Sequence, residues 1–248
     1  MIHVTQVFSF ASAHLENSEG PPLIYEWDFG VILQDFDLLM LGLVNTLKIT
    51  GLALIFGVPL GLFLALLRLS STALLRWPAS FIIEFLRTTP PIAQLFWFYF
   101  ALPMMVGVEI NPFSASVLTF SLQSSAFFAE VFRGGIVSIS SGQWEAAKAI
   151  GMSRNQSLRR IILPQAVKRM IPAFLERAIE LMKTTTLVGT ISYADLLYQA
   201  NNIAQESYRP LEVFTIAAAI YFVIIFICSL AVRRLERRLG RSGETTVH

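Results

Sequence analysis

The stretch ITGLALIFGVPLGLFLALL, residues 49–67, contains no Asp, Glu, Lys or Arg. A helix rises about 1.5 Å per residue, so about 20 apolar residues cross the ~30 Å hydrocarbon core of a bilayer. Three more runs of similar length also lack these charged residues, at positions 88–108, 110–129 and 213–232. The four runs predict four membrane-spanning helices.

The composition agrees with a membrane protein. Of the 248 residues, 54% are hydrophobic and only 15% are charged, which leaves too few polar residues for the surface of a soluble domain. We therefore expect an all-α integral membrane protein, surrounded by the lipid bilayer and without nucleic acid as a partner.

The distribution of Lys and Arg predicts the side of the membrane, because cytoplasmic connections carry an excess of these residues. Residues 233–241 include five arginines, and basic residues also fill the connection after the first run and the stretch before Met170. Residues 1–37 and 103–112 contain neither Lys nor Arg. The N-terminus should therefore lie outside and the C-terminus in the cytoplasm.

An even number of spans would place both termini on one side, so one more span is predicted between Arg169 and Asp195. It brings the total to five and is the fourth span along the chain. The resulting five-helix bundle occupies residues 38–239, with an extracytoplasmic tail at 1–37 and a cytoplasmic tail at 240–248. The added span carries four charged residues, Glu176, Arg177, Glu180 and Lys183. Each would cost about 2.5–3.5 kcal/mol at the centre of a lipid-facing helix.

Five intramembrane charges are candidate path residues. Glu176, Glu180 and Lys183 share one helix face, at i, i+4 and i+7. They either face a partner helix or a water-lined path and compensate one another, or occupy a helix extension below the membrane. Glu130 and Arg133, at i and i+3 near the end of the third span, form either a structural ion pair or a contact with substrate.

The first run contains two small residues four positions apart, Gly57 and Gly61. In membrane helices this spacing favours the close approach of a second helix, because no side chain separates the backbones. We read it as a packing feature and assign it no functional role.

A polar connection at about residues 138–168 separates the third and fourth spans. Residues 145–150 are good helix formers, Gly151 permits the left-handed conformation that ends a helix, and Ser153 with Gln156 forms a capping box. Pro164 is expected to break or redirect the chain before the next span. The connection thus predicts two short helices joined at a glycine.

The order of residues in this connection resembles the cytoplasmic EAA loop of permeases of bacterial ABC importers. The pattern is Glu-Ala-Ala, three residues, Gly, nine residues, Ile, one residue and Leu-Pro. It is filled by Glu145, Ala146, Ala147, Gly151, Ile161, Leu163 and Pro164. In that family the loop is the coupling helix, which docks on the ATPase, and small Ala146, Ala147 and Ala149 would permit close approach. The alternative is an amphipathic turn that packs only on its own subunit.

Other segments narrow the resemblance to the polar amino-acid subfamily and extend it over about residues 38–239. They are EFLRTTP at 84–90, AEVFRGGI at 129–136, LPQA at 163–166 and KTTTL at 183–187. The last departs from the commoner Lys-Asp-Thr-Ser-Leu at Thr184 and Thr186. The resemblance implies a type I importer fold and a polar amino acid such as glutamate, aspartate or glutamine as the solute.

The resemblance also implies partners in the bacterial inner membrane. They are ATP-binding cassette ATPase subunits, a second permease copy or paralogue, and an extracytoplasmic solute-binding protein. ATP and Mg are expected on the ATPase, and no cofactor on this chain.

Sequence motifs for catalysis are missing. There is no Gly-x-x-x-x-Gly-Lys-Ser/Thr phosphate loop, and the histidines are confined to His3, His14 and His248. We therefore expect no catalytic residue, no metal site and no enzyme activity on this chain. The remaining alternative is a small gradient-driven secondary transporter or channel subunit, in which the intramembrane charges would couple to ions. The docking loop argues against it.

Overall fold

The computed structural model describes residues 25–240, so most of the predicted N-terminal tail and residues 241–248 lie outside the described part. Every regular element between residues 25 and 240 is helical, which confirms the all-α prediction. The α-helices are α1 Gly30–Gln34, α2 Phe36–Arg68, α3 Ala73–Thr88, α4 Pro91–Phe96, α5 Leu102–Val106, α6 Pro112–Val137, α7 Ser141–Ala149, α8 Arg154–Ser157, α9 Leu163–Thr184, α10 Leu196–Ser207 and α11 Pro210–Gly240. Two π-helical turns, Trp97–Ala101 and Leu158–Ile162, and a 3₁₀ segment, Thr185–Ile191, lie between them.

Three of these helices, α2, α6 and α11, are long and apolar enough to cross a membrane. They contain nearly all of the predicted runs 49–67, 110–129 and 213–232. Helix α6 continues beyond its run, through the charged Glu130 and Arg133, and ends at Val137. These two charged residues pair with each other, and Glu130 also pairs with Arg68 at the end of α2, as described below.

The predicted start of the second span, at residue 88, is wrong, because the helix begins at Pro91. Helix α3 ends at Thr88, and the next two residues are extended, with ψ angles of 133° at Thr89 and 135° at Pro90. Each of these two residues precedes a proline, which disfavours the helical conformation. The apolar helical stretch then runs from Pro91 to Val106. The joint is held by Gln94, whose Nε2 donates hydrogen bonds to two carbonyl oxygens on its N-terminal side.

The expectation that Pro164 breaks or redirects the chain is also wrong. Helix α8, the π turn and α9 follow one another without interruption from Arg154 to Thr184. A proline lacks the N–H group and crowds the carbonyl group four residues before it. The π turn directly before Pro164 relieves this, because the N–H of Leu163 donates to the carbonyl of Leu158, five residues back.

Helices α2 and α6 form the most extensive helix pair, and the two predicted small residues lie at their contact. A Cβ atom on Gly57 would lie 2.0 Å from Ser124 Oγ, and one on Gly61 would lie 2.7 Å from the carbonyl oxygen of Ser125. Van der Waals contact needs about 3.5 Å. Close approach at these glycines is therefore confirmed.

The loop between the 3₁₀ segment and α10 is fastened to α2. Asn45 Nδ2 donates to the Ala194 carbonyl at 2.9 Å, and Thr46 Oγ1 accepts from the Leu196 N–H at 3.2 Å. Between them lies Asp195, which is fully buried and caps α10 by accepting from the Tyr198 N–H at 2.8 Å. Burial raises the pKa of Asp195 to about 6.

A second buried carboxylate fastens the N-terminal end of the described chain to α11. Glu212, in the first turn of α11, has no exposed surface. It accepts hydrogen bonds from the Tyr25 hydroxyl, from the Asp28 N–H at 3.2 Å and from the Arg209 guanidinium at 3.0 Å. These contacts hold residues 25–29 against the start of the last long helix.

Candidate functional site

The predicted coupling segment has the expected local structure. Helix α7 ends at a glycine turn in which the Gly151 N–H donates to the Lys148 carbonyl at 3.0 Å and the Met152 N–H to the Ala147 carbonyl at 3.1 Å. Gly151 has a φ of +79°, in the left-handed region that glycine adopts without strain. Ser153 and Gln156 form the predicted capping box of α8. The helix-ending glycine turn and the capped start of the next helix are therefore confirmed, but the second helix is not short, because it continues to Thr184. The coupling role stays a prediction.

Exposure separates the residues of α7 into a surface face and a packed face. Glu145 and Ala146 are exposed, but Ala147 is completely buried. The methyl group of Ala147 packs within this chain, and close approach of the ATPase at this helix stays a prediction. Ile150, which the motif does not include, is 74% exposed. Its signal in the sequence is a large apolar residue directly before the helix-ending glycine.

The later motif residues lie where α8 turns into α9. Ile161 is half-buried and packs on a cluster that contains Ile139, Ile162 and Met170. Leu163 and Pro164 are exposed. Ile161 therefore anchors the helical stretch to the end of α6, and the Leu-Pro pair is on the surface.

Glu130 and Arg133 form the predicted structural ion pair, and a third residue joins them. The Arg133 guanidinium donates to both carboxylate oxygens of Glu130, with Nη2 to Oε2 at 2.9 Å. Arg68, at the end of α2, pairs with the same carboxylate. Sequence reasoning missed Arg68 because 62 positions separate it from Glu130. Glu130 thus links α2 to α6.

The charges of α9 do not compensate one another as expected. Glu180 pairs with Arg177, with Oε2 and Nη1 3.0 Å apart, and not with Lys183. Glu176 and Lys183 are exposed and take part in no ion pair within residues 25–240. The predicted mutual compensation of the stripe is therefore wrong. Lys183 is equally close to Glu180 along the chain, but the Arg177 guanidinium lies over the Phe127 ring, where it reaches the Glu180 carboxylate.

A cavity of about 120 Å³ opens between α3, α4, α6 and α9. Two guanidinium groups lie over the same aromatic ring in its wall. The Arg177 Cζ is 4.8 Å from the centre of the Phe127 ring, and the Arg87 Cζ is 5.7 Å from it. The full lining is Arg87, Pro91, Gln123, Ser124, Phe127, Phe128, Arg177, Glu180, Leu181 and Thr184. A small polar solute with a carboxylate fits this chemistry.

A wider cleft of about 420 Å³ continues from this cavity, because Arg87, Phe127 and Arg177 line both. The cleft adds Glu130, Arg169 and Glu176 to its wall. Its charged lining is three guanidinium groups against two carboxylates, and Glu130 is already held by Arg68 and Arg133. The lining of the cleft therefore contains one more positive than negative group.

Sequence reasoning missed five polar residues of this cavity as path residues: Arg87, Gln123, Ser124, Arg177 and Thr184. Gln123 lies in α6, within a polar segment, SLQSS at 121–125, that interrupts an otherwise apolar span. This interruption was the available signal. Of the predicted path residues, Glu180 lines the cavity, Glu130 and Glu176 line the cleft, and Arg133 and Lys183 line neither.

Comparison with known proteins identifies the family. Residues 57–241 match the family described as binding-protein-dependent transport system inner membrane component. The chain belongs to this family. The glutamate/aspartate import permease protein GltK of Escherichia coli O6:H1 is 39% identical over 223 residues, which cover 87% of this permease and 99% of that protein. The L-cystine transport system permease protein TcyB of Bacillus subtilis is 38% identical over 217 residues, covering 87% and 92%.

A solved structure described as an amino acid ABC transporter with histidines has the same fold. Its TM-score is 0.83 at 39% identity, over 86% of this permease and all of that chain. The permease is thus a multi-pass inner-membrane subunit of an ABC importer and not an enzyme. ATP hydrolysis belongs to a separate chain, and the family implies an ATPase and a substrate-binding protein as partners.

Proposed function

We propose that this permease imports an amino acid with an acidic or amide side chain, such as glutamate, aspartate or glutamine. The observation that supports it most is the pair of arginines, Arg87 and Arg177, over the ring of Phe127 in a cavity that shares three lining residues with the wider, charged cleft. Every such solute carries an α-carboxylate, which guanidinium groups bind with charge-assisted hydrogen bonds.

Both charged groups of the amino-acid backbone, the α-carboxylate and the α-ammonium group, have a partner of opposite sign in this cavity. Arg177 is partly neutralised by Glu180 at 3.0 Å. Arg87 is held more weakly, since its nearest carboxylate, Glu84, is 3.5 Å away and its buried Nε has no partner among the described residues. Arg87 therefore offers unused hydrogen-bonding capacity to a carboxylate, and Glu180 lies close enough to receive the α-ammonium group.

The names of the relatives support an amino acid as the solute, and one of them matches the proposed class of side chain. GltK is named for glutamate and aspartate, and TcyB for cystine. Cystine shares only the α-amino and α-carboxylate groups with glutamate, so binding of these groups is the part of the site that both relatives need. The arginine pair and Glu180 suit those groups, and the rest of the cavity selects the side chain.

Coupling to ATP follows from the helix that begins beside the glycine turn. The helical stretch from Arg154 to Thr184 starts next to Gly151 and carries Arg177 and Glu180 near its other end. A docked ATPase that moves the turn would therefore move this wall of the cavity as well. Glu145, Ala146 and the exposed Ile150 form the docking surface, with ATP and Mg held by the ATPase.

The assembly has the N-terminus outside, the C-terminus in the cytoplasm, and a second permease copy or paralogue across the cleft. The asymmetry of basic residues supports the orientation. The cleft lies open on the side of this chain, and its exposed charges would be costly beside lipid. A second permease would close it into a path.

The test is uptake by proteoliposomes that contain the permease with its cognate ATPase and binding protein. We expect saturable uptake of glutamate, aspartate or glutamine that requires both internal ATP and the binding protein. A panel of labelled amino acids gives the side-chain preference. The matched control carries an ATPase that binds but does not hydrolyse ATP, and it should give no uptake.

Two results would overturn the proposal. Uptake that persists without ATP and disappears when an ion gradient is dissipated would establish the gradient-driven alternative. ATP-dependent uptake restricted to basic or apolar amino acids would contradict the solute class while leaving the importer function intact.

A further inference from the structure

Gln123 is buried in the wall of the cavity with its hydrogen-bonding groups unused. Only 5% of its surface is exposed, and the residue lies one turn before Phe127 on α6. Its carboxamide takes part in no hydrogen bond with any residue in the described range 25–240. A carboxamide offers two N–H donors and an oxygen with two acceptor sites.

The surrounding polar residues differ in this respect. Ser124 donates to the Ala53 carbonyl at 3.2 Å, and Thr119 donates to the Ala115 carbonyl at 2.7 Å. Gln94 is as buried as Gln123, yet its Nε2 donates two hydrogen bonds, at 2.8 and 3.0 Å. Backbone carbonyls thus satisfy these three polar side chains at least in part. The hydroxyl of Ser121 also lacks a partner, but Ser121 does not line the cavity, whereas Gln123 does.

The amide nitrogen and oxygen of Gln123 are open to the cavity and are not sealed off from it. A group that enters the cavity can therefore replace water on this carboxamide. The arrangement is understandable if the partner of the carboxamide is the solute, which enters the cavity from the side of Arg87 and Arg177.

We infer that Gln123 binds the side-chain terminus of the imported amino acid and sets the preference between a carboxylate and a carboxamide. This inference rests on the proposed function. The Gln123 N–H groups can donate to a carboxylate, and its oxygen can accept from the N–H of a carboxamide, so both solutes are accommodated. Arg87 and Arg177 bind the α-carboxylate, which orients the side chain toward α6.

The chemistry predicts what an isosteric change would do. In Gln123→Glu the donor is replaced by a second negative acceptor, so a solute carboxylate is repelled while a solute carboxamide still donates. We expect the ratio of glutamate to glutamine uptake to fall by about tenfold or more. In Gln123→Leu both solutes lose their hydrogen bonds, so both uptake rates fall, while thermal stability is retained or raised.

The experiment measures competing uptake of labelled glutamate and glutamine by the same proteoliposomes, which removes differences in the amount of active protein. Gln205, exposed on α10, supplies the control, because Gln205→Glu introduces the same chemical change away from the cavity. The control should leave the uptake ratio unchanged. Melting temperatures of all variants are recorded in parallel.

The outcomes separate this inference from the proposed function. If wild-type proteoliposomes take up neither solute in an ATP-dependent way, the proposed function fails and the inference fails with it. If wild type transports both and Gln123→Glu keeps the wild-type ratio, only the role of Gln123 is overturned. Should Gln123→Glu not insert, Gln123→Leu decides: full uptake refutes the role, and a stable protein with reduced uptake of both solutes supports it.

Discussion

The contact between α2 and α6 makes a sharp prediction about Gly61. A Cβ atom at this position would lie 2.7 Å from the carbonyl oxygen of Ser125 and 2.8 Å from Phe128 Cβ. The shortfall from ordinary contact, about 0.8 Å, falls on backbone and Cβ atoms that no rotamer change can move. In Gly61→Ala, α2 must therefore separate from α6, and overpacking of this kind costs about 1–3 kcal/mol.

Gly57 lies on the same face of α2 as Gly61, and a Cβ atom at Gly57 would meet a different nearest obstacle. A Cβ there meets the hydroxyl of Ser124 at 2.0 Å and the Ser121 carbonyl oxygen at 3.0 Å. The hydroxyl is the nearest obstacle, so Ser124→Ala should relieve much of the damage of Gly57→Ala. The same second change should not relieve Gly61→Ala, since Ser124 is absent from its contacts.

The assay is thermal unfolding of the purified permease in detergent. A loss of about 2 kcal/mol corresponds to roughly 4–8 °C for a chain of this size. The control is Gly51→Ala on α2, where a Cβ meets no atom within 4 Å, so it should be neutral or stabilise by up to about 1 kcal/mol. Equal melting temperatures for Gly61→Ala and Gly51→Ala would refute the close helix contact.

Three further predictions concern other sites. Gly151 has a φ of +79°, and this left-handed conformation costs a β-branched residue most and asparagine least. Transport-linked ATP hydrolysis should therefore be impaired most in Gly151→Val, less in Gly151→Ala and least in Gly151→Asn. Equal activity of all three variants would refute the role of the turn. Burial raises the pKa of the Asp195 carboxyl to about 6, so this group contributes about 3 kcal/mol to stability below pH ~4, and the contribution is lost as pH rises through 6. Asp195→Asn should flatten this decrease of the melting temperature with pH and leave the cap of α10 intact. An unchanged pH dependence of the melting temperature would contradict the prediction. Glu130→Gln should lower the free energy of unfolding by about 2 kcal/mol, since the half-buried guanidinium groups of Arg68 and Arg133 lose their charged partner. A double-mutant cycle of Glu130→Gln with Arg68→Met tests the first of these pairs. Additive losses would show that the Arg68–Glu130 pair does not form in the membrane.

The sequence determined the features that depend on neighbouring residues. The absence of charge over 49–67 requires a helix in a membrane, because a backbone in lipid must satisfy its own hydrogen bonds. Gly151 and Ser153 encode the turn between α7 and α8 through local conformation and local hydrogen bonds. The break at Thr89 was also encoded, by the prolines at 90 and 91, but a count of charge-free residues does not register it.

The tertiary structure decided which distant residues meet. Arg68 reaches Glu130 only because glycines bring α2 against α6, and the burial of Ala147 depends on the rotation of α7 on its neighbours. Helical spacing places Glu180 beside both Arg177 and Lys183, and the Phe127 ring, on another helix, holds the Arg177 guanidinium where it pairs with Glu180. The sequence marked Gln123 only by the polar segment around it, and its place in the cavity wall depends on the packing of α6 against α9. Such contacts are fixed by the relative positions of whole helices, which result from the packing of the entire chain and not from the residues on either side.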